Sequence, residues 1–178
     1  MVKSKPYLSL EDARAIAAAA EAEAAKHHWA VSIAVVDDGG HLLWLQRLDG
    51  AAPISAQIAP AKARTAALGR RESRIYEEMI NGPRAAFLSA PGLEGMLEGG
   101  VPVMVLGLCV GAVGVSGVKV ERRRTDRARG HRGAGTLRAA GHVLATLKSS
   151  PPLYSEGLPV PIIPARPNPE HRESHERP

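Results

Sequence analysis

The stretch from Val31 to Asp49, VSIAVVDDGGHLLWLQRLD, restricts the possible folds more than any other part of this chain. Val31, Ile33 and Val35, and then Leu42, Leu43, Trp44 and Leu45, form two short runs of side chains that pack well on a pleated surface. Between them lies Asp37-Asp38-Gly39-Gly40. Glycine reaches positive φ without steric cost, so the two runs read as strands joined by a tight, primed turn. An isolated hairpin is marginal in water, so further strands or helices must pack on this one.

The flanking sequence supplies them. Ahead of the hairpin, Ser9 to His28 has helical spacing, with Leu10, Ala13, Ile16, Ala17, Ala20 and Ala24 on one face. Ser9 followed by Asp12 has the form of a capping box, and Glu11 and Asp12 suit the positive end of the helix dipole. His27 and His28 stand at the other end, either as solvated cations or, for His28, as a metal or haem ligand. After the hairpin, Ser55 opens a helix through Gly69 that Pro60 is expected to kink or restart. Ser73 is expected to cap a second helix, Arg74 to Ile80, which Asn81-Gly82-Pro83 stops. Ala85 to Ser89 reads as a short strand.

Pro91 to Gly100 is a glycine-rich loop without the spacing of a phosphate cradle. Val101 to Leu106 and Cys109 to Ser116 complete the pattern as two strands turning at Gly107. They are almost wholly apolar, so both faces must be covered, at a sheet centre or an interface. The order of helix, hairpin, helices, strand and hairpin predicts an α+β fold: an antiparallel sheet of about five strands with helices packed on it.

Composition narrows the function classes. The 178 residues suffice for one domain with a tail. The lone Cys109, in an apolar run, excludes an internal disulfide and a thiolate cluster and reads as a buried small hydrophobe. No apolar run reaches membrane-spanning length, and MVKSKPYLSLEDA lacks a signal core, so a cytoplasmic protein without a membrane partner is expected. Aromatic residues are only 3 % of the chain, too few for base-stacking platforms. Residues 1–120 hold twelve basic and twelve acidic residues, whereas 121–178 hold eleven and six, so the net +5 resides in the tail. That tail has neither a nucleic-acid fold motif nor aromatics, and no nucleic-acid partner is expected.

LSLEDARAIAAAAEAEA, VVDDGGHLLWLQRLDGA, SAQIAPAKARTAAL and EGGVPV…VGAVGVSG follow one another over residues 8–118. In that order they resemble the GlcG/HbpS-like family of haem-degrading or haem-binding domains, which includes the C-terminal domain of the corrinoid adenosyltransferase PduO. The resemblance implies a profilin-like α+β sandwich, a homo-oligomer, and a haem or small-molecule ligand. By position, the matching residues are His41 of the GGH turn, Arg47 and Asp49 of RLDG, Lys62 of KART, and Gly99, Gly100 and Pro102 of GGVP. His41 is a turn imidazole that either bonds to backbone or binds iron. Arg47 or Lys62 would pair with a propionate or another carboxylate; alternatively, Arg47 and Asp49 pair with each other across the hairpin end.

The resemblance stops at Val120, making 1–120 the family domain, 121–147 an atypical basic segment and 148–178 a disordered Pro-rich tail. Family members continue into an amphipathic helix with an Asp-Glu-Gln segment and an Ala-Gly pair, where this chain reads VERRRTDRARGHRGAGTLRAA. Permitted codons for Glu121 to Gly135, read one base later, can spell Ser-Asp-Asp-Glu-Gln-Ile-Ala-Arg-Ala-Gly-Ile-Ala-Ala-Leu, which points to a reading-frame slip.

Two functional readings follow. The first is an oligomeric, non-catalytic holder of haem or a related small molecule, with His41 or His28 on the metal. The second is an enzyme of small-molecule carboxylate catabolism with Lys62 or His41 as base. No nucleophile–base pair or convergent carboxylate pair is visible, so no catalytic residue is assigned.

Overall fold

A computed structural model of the chain describes residues 4–117; the segments 121–147 and 148–178 lie outside the described residues. The elements are α1 (Leu10–Lys26), β1 (Ser32–Asp37), β2 (Leu42–Arg47), α2 (Ser55–Gly69), α3 (Ser73–Asn81), a 3₁₀ turn (Ala85–Ser89), β3 (Gly100–Val105) and β4 (Leu108–Ser116). The four strands form one sheet in the order β2-β1-β4-β3, with antiparallel pairing throughout. The fold is α+β, as the order of sequence patterns requires.

Each face of the sheet is covered by its own set of small and branched side chains. Ala13, Ile16, Ala17, Ala20 and Ala24 of α1 form a cluster with Ile33, Val35, Val101, Val113 and Val115. On the other face Ala63, Ala66 and Ala67 of α2 pack with Val36 and Ala112. β4, all but its first residue buried, lies inside the sheet as its unbroken apolar sequence demands. Cys109 is buried and free.

α2 sits unusually low on the sheet, because glycines face it. A Cβ at Gly114 would lie 2.1 Å from the Ala59 carbonyl oxygen, and one at Gly100 would lie 2.2 Å from that of Lys62. Helix backbone therefore touches strand backbone along this seam.

Local chemistry explains the ends of α1. Ser9 Oγ accepts from the Asp12 amide at 3.1 Å, and the Ser9 amide donates to Asp12 Oδ2 at 2.8 Å, completing the capping box. At the far end the Trp29 amide donates to Ala24 O and the His28 amide to Ala25 O, the paired bonds of a Schellman motif. The left-handed position of that motif, usually glycine, is held by His28 at φ 53°.

Several expectations change. Ala85–Ser89 forms a 3₁₀ turn rather than a strand, so the sheet has four strands among the described residues instead of about five. Its Phe87 packs on the Arg84 guanidinium and the Tyr76 ring, contacts that a turn supplies and an unpaired strand does not. α2 runs continuously through Pro60. Glu72, not Ser73, is the N-cap of α3. The Ser73 hydroxyl instead accepts from the Gly100 amide at 2.8 Å and donates to Leu97 O, tying α3 to the loop before β3. The β1–β2 connection is also not a primed turn. Only Gly40 of the two glycines has positive φ (79°), and a register shift falls between Val35 and Val36. The Asp37 carboxylate favours this loop by accepting the Gly39 and His41 amides at 2.9 and 2.8 Å.

Candidate functional site

The antiparallel register sorts the sequence-selected residues to two ends of the sheet. His28 precedes β1, and His41 follows it across the hairpin turn. The six residues of β1, at about 3.3 Å each, hold the two imidazoles on the order of 20 Å apart, so they cannot share one metal. Arg47 pairs in register with Ser32, and Ser32 with Ser116, which puts Arg47 at the end of the sheet away from His41. Asp49 lies just beyond it, exposed, and among the described residues no ion pair joins Arg47 to Asp49.

Lys62, Gly99 and Gly100 do come together, at the Arg47 end. Lys62 is buried at 7 % exposure, and its Nζ donates to Val115 O at 3.2 Å. The Val115 amide in turn donates to Gly99 O at 2.9 Å, and the Gly100 backbone presses on the Lys62 carbonyl. Pro102, half-buried in β3, pairs with Ala112. Burial pushes the Lys62 amine below its ordinary range, partly opposed by the charges of Glu98 and Glu77. Burial also pushes the Glu98 carboxyl up, and the Glu77 charge adds to this while Lys62 opposes it. The Glu98 amide donates to Glu77 Oε2 at 2.7 Å, fastening the loop to α3. This end is a packed polar seam, and Lys62 fills an internal role.

The hairpin end is open. The His41 side chain is 77 % exposed, and its Nδ1 stands 3.2 Å from both oxygens of Asp37. The ring folds back over Gly39, where a Cβ would come within 2.8 Å of Nδ1. An ionised carboxylate only accepts, so this contact holds the proton on Nδ1 and leaves the Nε2 lone pair facing outward. Asp37 was not singled out from sequence, although an Asp four residues before a turn His is a legible signal. Arg64 and Leu68 of α2 press on the same turn: a Cβ at Gly40 would lie 2.8 Å from Arg64 Cγ and 3.6 Å from Leu68 Cγ. Asp38 is engaged by Lys5, whose hydrogen bond holds the Asp38 carboxyl below its usual range.

Among the described residues no three His, Cys, Asp or Glu side chains gather to hold a bare metal ion. A porphyrin iron brings its own ring nitrogens and takes single side chains as axial ligands, so an outward Nε2 buttressed by a carboxylate fits that group.

Comparison with known proteins places the chain in a family. Residues 8–125 match the family model described as haem degrading protein HbpS-like. Protein GlcG of Escherichia coli K12 is 61 % identical over 115 residues, covering 65 % of this chain and 85 % of GlcG. A double mutant of Streptomyces reticuli HbpS superposes with a TM-score of 0.67 at 31 % identity, covering 82 % of this chain and 90 % of that one. A PduOC:heme complex superposes with a TM-score of 0.63 at 23 % identity, covering 79 % and 94 % of the two chains, a likeness of fold. The match over the greater part of its length, from α1 past β4, makes this chain a member of the HbpS-like family.

Proposed function

We propose that this protein is a non-catalytic holder of haem or a closely related iron porphyrin, acting as a cytoplasmic homo-oligomer, with His41 as the iron ligand. The observation that carries this reading is the Asp37–His41 contact, in which the carboxylate orients the imidazole and accepts from its Nδ1. The family description supports it. When bound, haem supplies an iron with an intense absorption band. The chain supplies the imidazole at the hairpin turn and the carboxylate that holds its Nδ1 proton.

A haem titration followed by Soret absorbance tests the proposal. His41→Ala should abolish the shift, and Asp37→Asn should weaken binding by about 10–100-fold, the usual effect of losing the group behind a ligating histidine. An unchanged Soret spectrum in His41→Ala would refute the assignment. Oligomerisation has its support in the open sheet, whose edge strands carry Leu42, Leu45 and Met104 at 51, 40 and 47 % exposure. Sedimentation velocity that finds only a monomer would remove that part. No helix among the described residues is long and apolar enough to cross a membrane. A catalytic reading with Lys62 as base requires its amine to leave Val115 O and reach solvent, and no observation favours it.

A further inference from the structure

We propose that Arg64 is the anchor for a carboxylate of the ligand held at His41, with Leu42 and Leu68 flanking it as the wall for the ligand's apolar body. This rests on the His41 reading and deepens it, naming the ligand class as an amphiphilic, carboxylate-bearing macrocycle.

Arg64 is exposed, and among the described residues its guanidinium has no hydrogen bond, ion pair or ring contact. It is nevertheless not a loose surface cation. Its stem lies against Gly40, the residue before His41, and its Nη2 is 3.9 Å from where a Cβ of Gly92 would stand. Two bare glycine turns therefore bracket the side chain, its stem against Gly40 of the hairpin turn and its guanidinium end near Gly92. The acids of the hairpin turn are already engaged, Asp37 by His41 and Asp38 by Lys5, so they do not neutralise it.

The surroundings are apolar. Leu68, one helical turn beyond Arg64, is 41 % exposed beside Gly40 and Gly92. Leu42 follows His41, is 51 % exposed, and pairs with Val36, which packs under α2. A ligating nitrogen, a planar carboxylate-binding fork and two exposed leucines thus converge on one end of the fold. A guanidinium recognises a carboxylate through paired N–H donors, which an ammonium does not reproduce. Neither cation expected from sequence can serve there: Lys62 Nζ is turned to Val115 O, and Arg47 lies at the opposite end of the sheet.

Three probes separate the groups: haemin has iron and free carboxylates, haemin dimethyl ester has iron alone, and protoporphyrin IX has carboxylates alone. Binding is read by quenching of tryptophan fluorescence and by Soret absorbance, for the full chain and for Arg64→Gln, Arg64→Lys and His41→Ala. Arg64→Gln should weaken haemin and protoporphyrin IX by about tenfold and leave the dimethyl ester unchanged. Arg64→Lys should recover part of the loss. The inference is overturned if Arg64→Gln weakens the ester as much as haemin, if protoporphyrin IX binds the variant as well as it binds the parent, or if the parent does not bind protoporphyrin IX. A Soret shift that survives His41→Ala while Arg64→Gln still discriminates acid from ester would refute the iron ligand and keep the carboxylate anchor.

Discussion

Ser32 of β1 and Ser55 of α2 share a hydrogen bond of 2.7 Å inside the protein, and its direction is determined. Ser55 Oγ donates its single proton to Ala52 O at 2.6 Å, so Ser32 must be the donor to Ser55. Both residues are essentially without solvent contact. Ser55→Ala would strand the Ser32 hydroxyl at a cost of about 1–3 kcal/mol, whereas the Ser32→Ala/Ser55→Ala double variant should lose less than the sum of the single changes. Urea denaturation of the four proteins measures the coupling, and strict additivity would contradict the bond.

The seam between α2 and the sheet predicts opposite tolerances at two glycines. Gly114→Ala places a methyl group 2.1 Å from Ala59 O and should destabilise by about 3 kcal/mol or prevent folding. Gly107→Ala meets nothing within 4 Å, and its left-handed backbone (φ 78°) limits the loss to about 1 kcal/mol. Thermal melts of the two variants compare them directly.

His28 occupies the left-handed position of the α1 Schellman motif with a side chain that disfavours it. His28→Gly should stabilise the protein by about 0.5–1 kcal/mol, the relief of the steric penalty less the added freedom of the unfolded chain. The same variant should leave the Soret titration unaltered, because His28 lies at the end of the fold away from His41. Loss of haem binding in His28→Gly would reverse the assignment of the ligand.

Glu98 and Lys62 tilt the pH dependence of stability. The Glu98 carboxyl is raised from its ordinary 4.5 by burial and by Glu77. The native state therefore keeps a proton that the unfolded chain has released, and stability falls as pH rises from 4.5 through the raised value. Glu98→Gln should remove that fall, so its advantage over the parent should be larger at pH 7 than at pH 4. Lys62 acts in the basic range: its amine is depressed from 10.5, so stability should climb as pH approaches that value. Denaturation midpoints taken across pH 4 to 10 record both slopes, and a flat profile for the parent contradicts them.

What the sequence revealed follows the reach of each interaction. The capping box of Ser9 and Asp12 and the apolar face of α1 depend on residues within a few positions of one another, and both appear as read, except that Leu10 is 49 % exposed. The hairpin was evident from its two apolar runs, but the geometry of its turn was not, because the Asp37 side chain selects it. Ala85 to Ser89 looked like a strand, yet a strand needs a partner, and Phe87 found Arg84 and Tyr76 instead. In the proposed site, the place of His41 beside the double glycine is legible in the sequence. Its supporting carboxylate and the nearby Arg64 depend on backbone approach at Gly39 and Gly40, which only the folded chain displays. Lys62 and Arg47 drew notice as cations, but their place is fixed by strand register, a long-range property.

The absent side chains at Gly100 and Gly114 set the spacing between two layers of the molecule, and that spacing decides where change can accumulate. A helix clamped backbone to backbone cannot slide or tilt to accommodate a new guest. Change is therefore confined to the outward rows of that helix and the hairpin tip, while its inward row keeps alanine and the strands facing it keep glycine. Substitutions that probe the proposed ligand site belong at positions 64 and 68 and should leave the clamp alone.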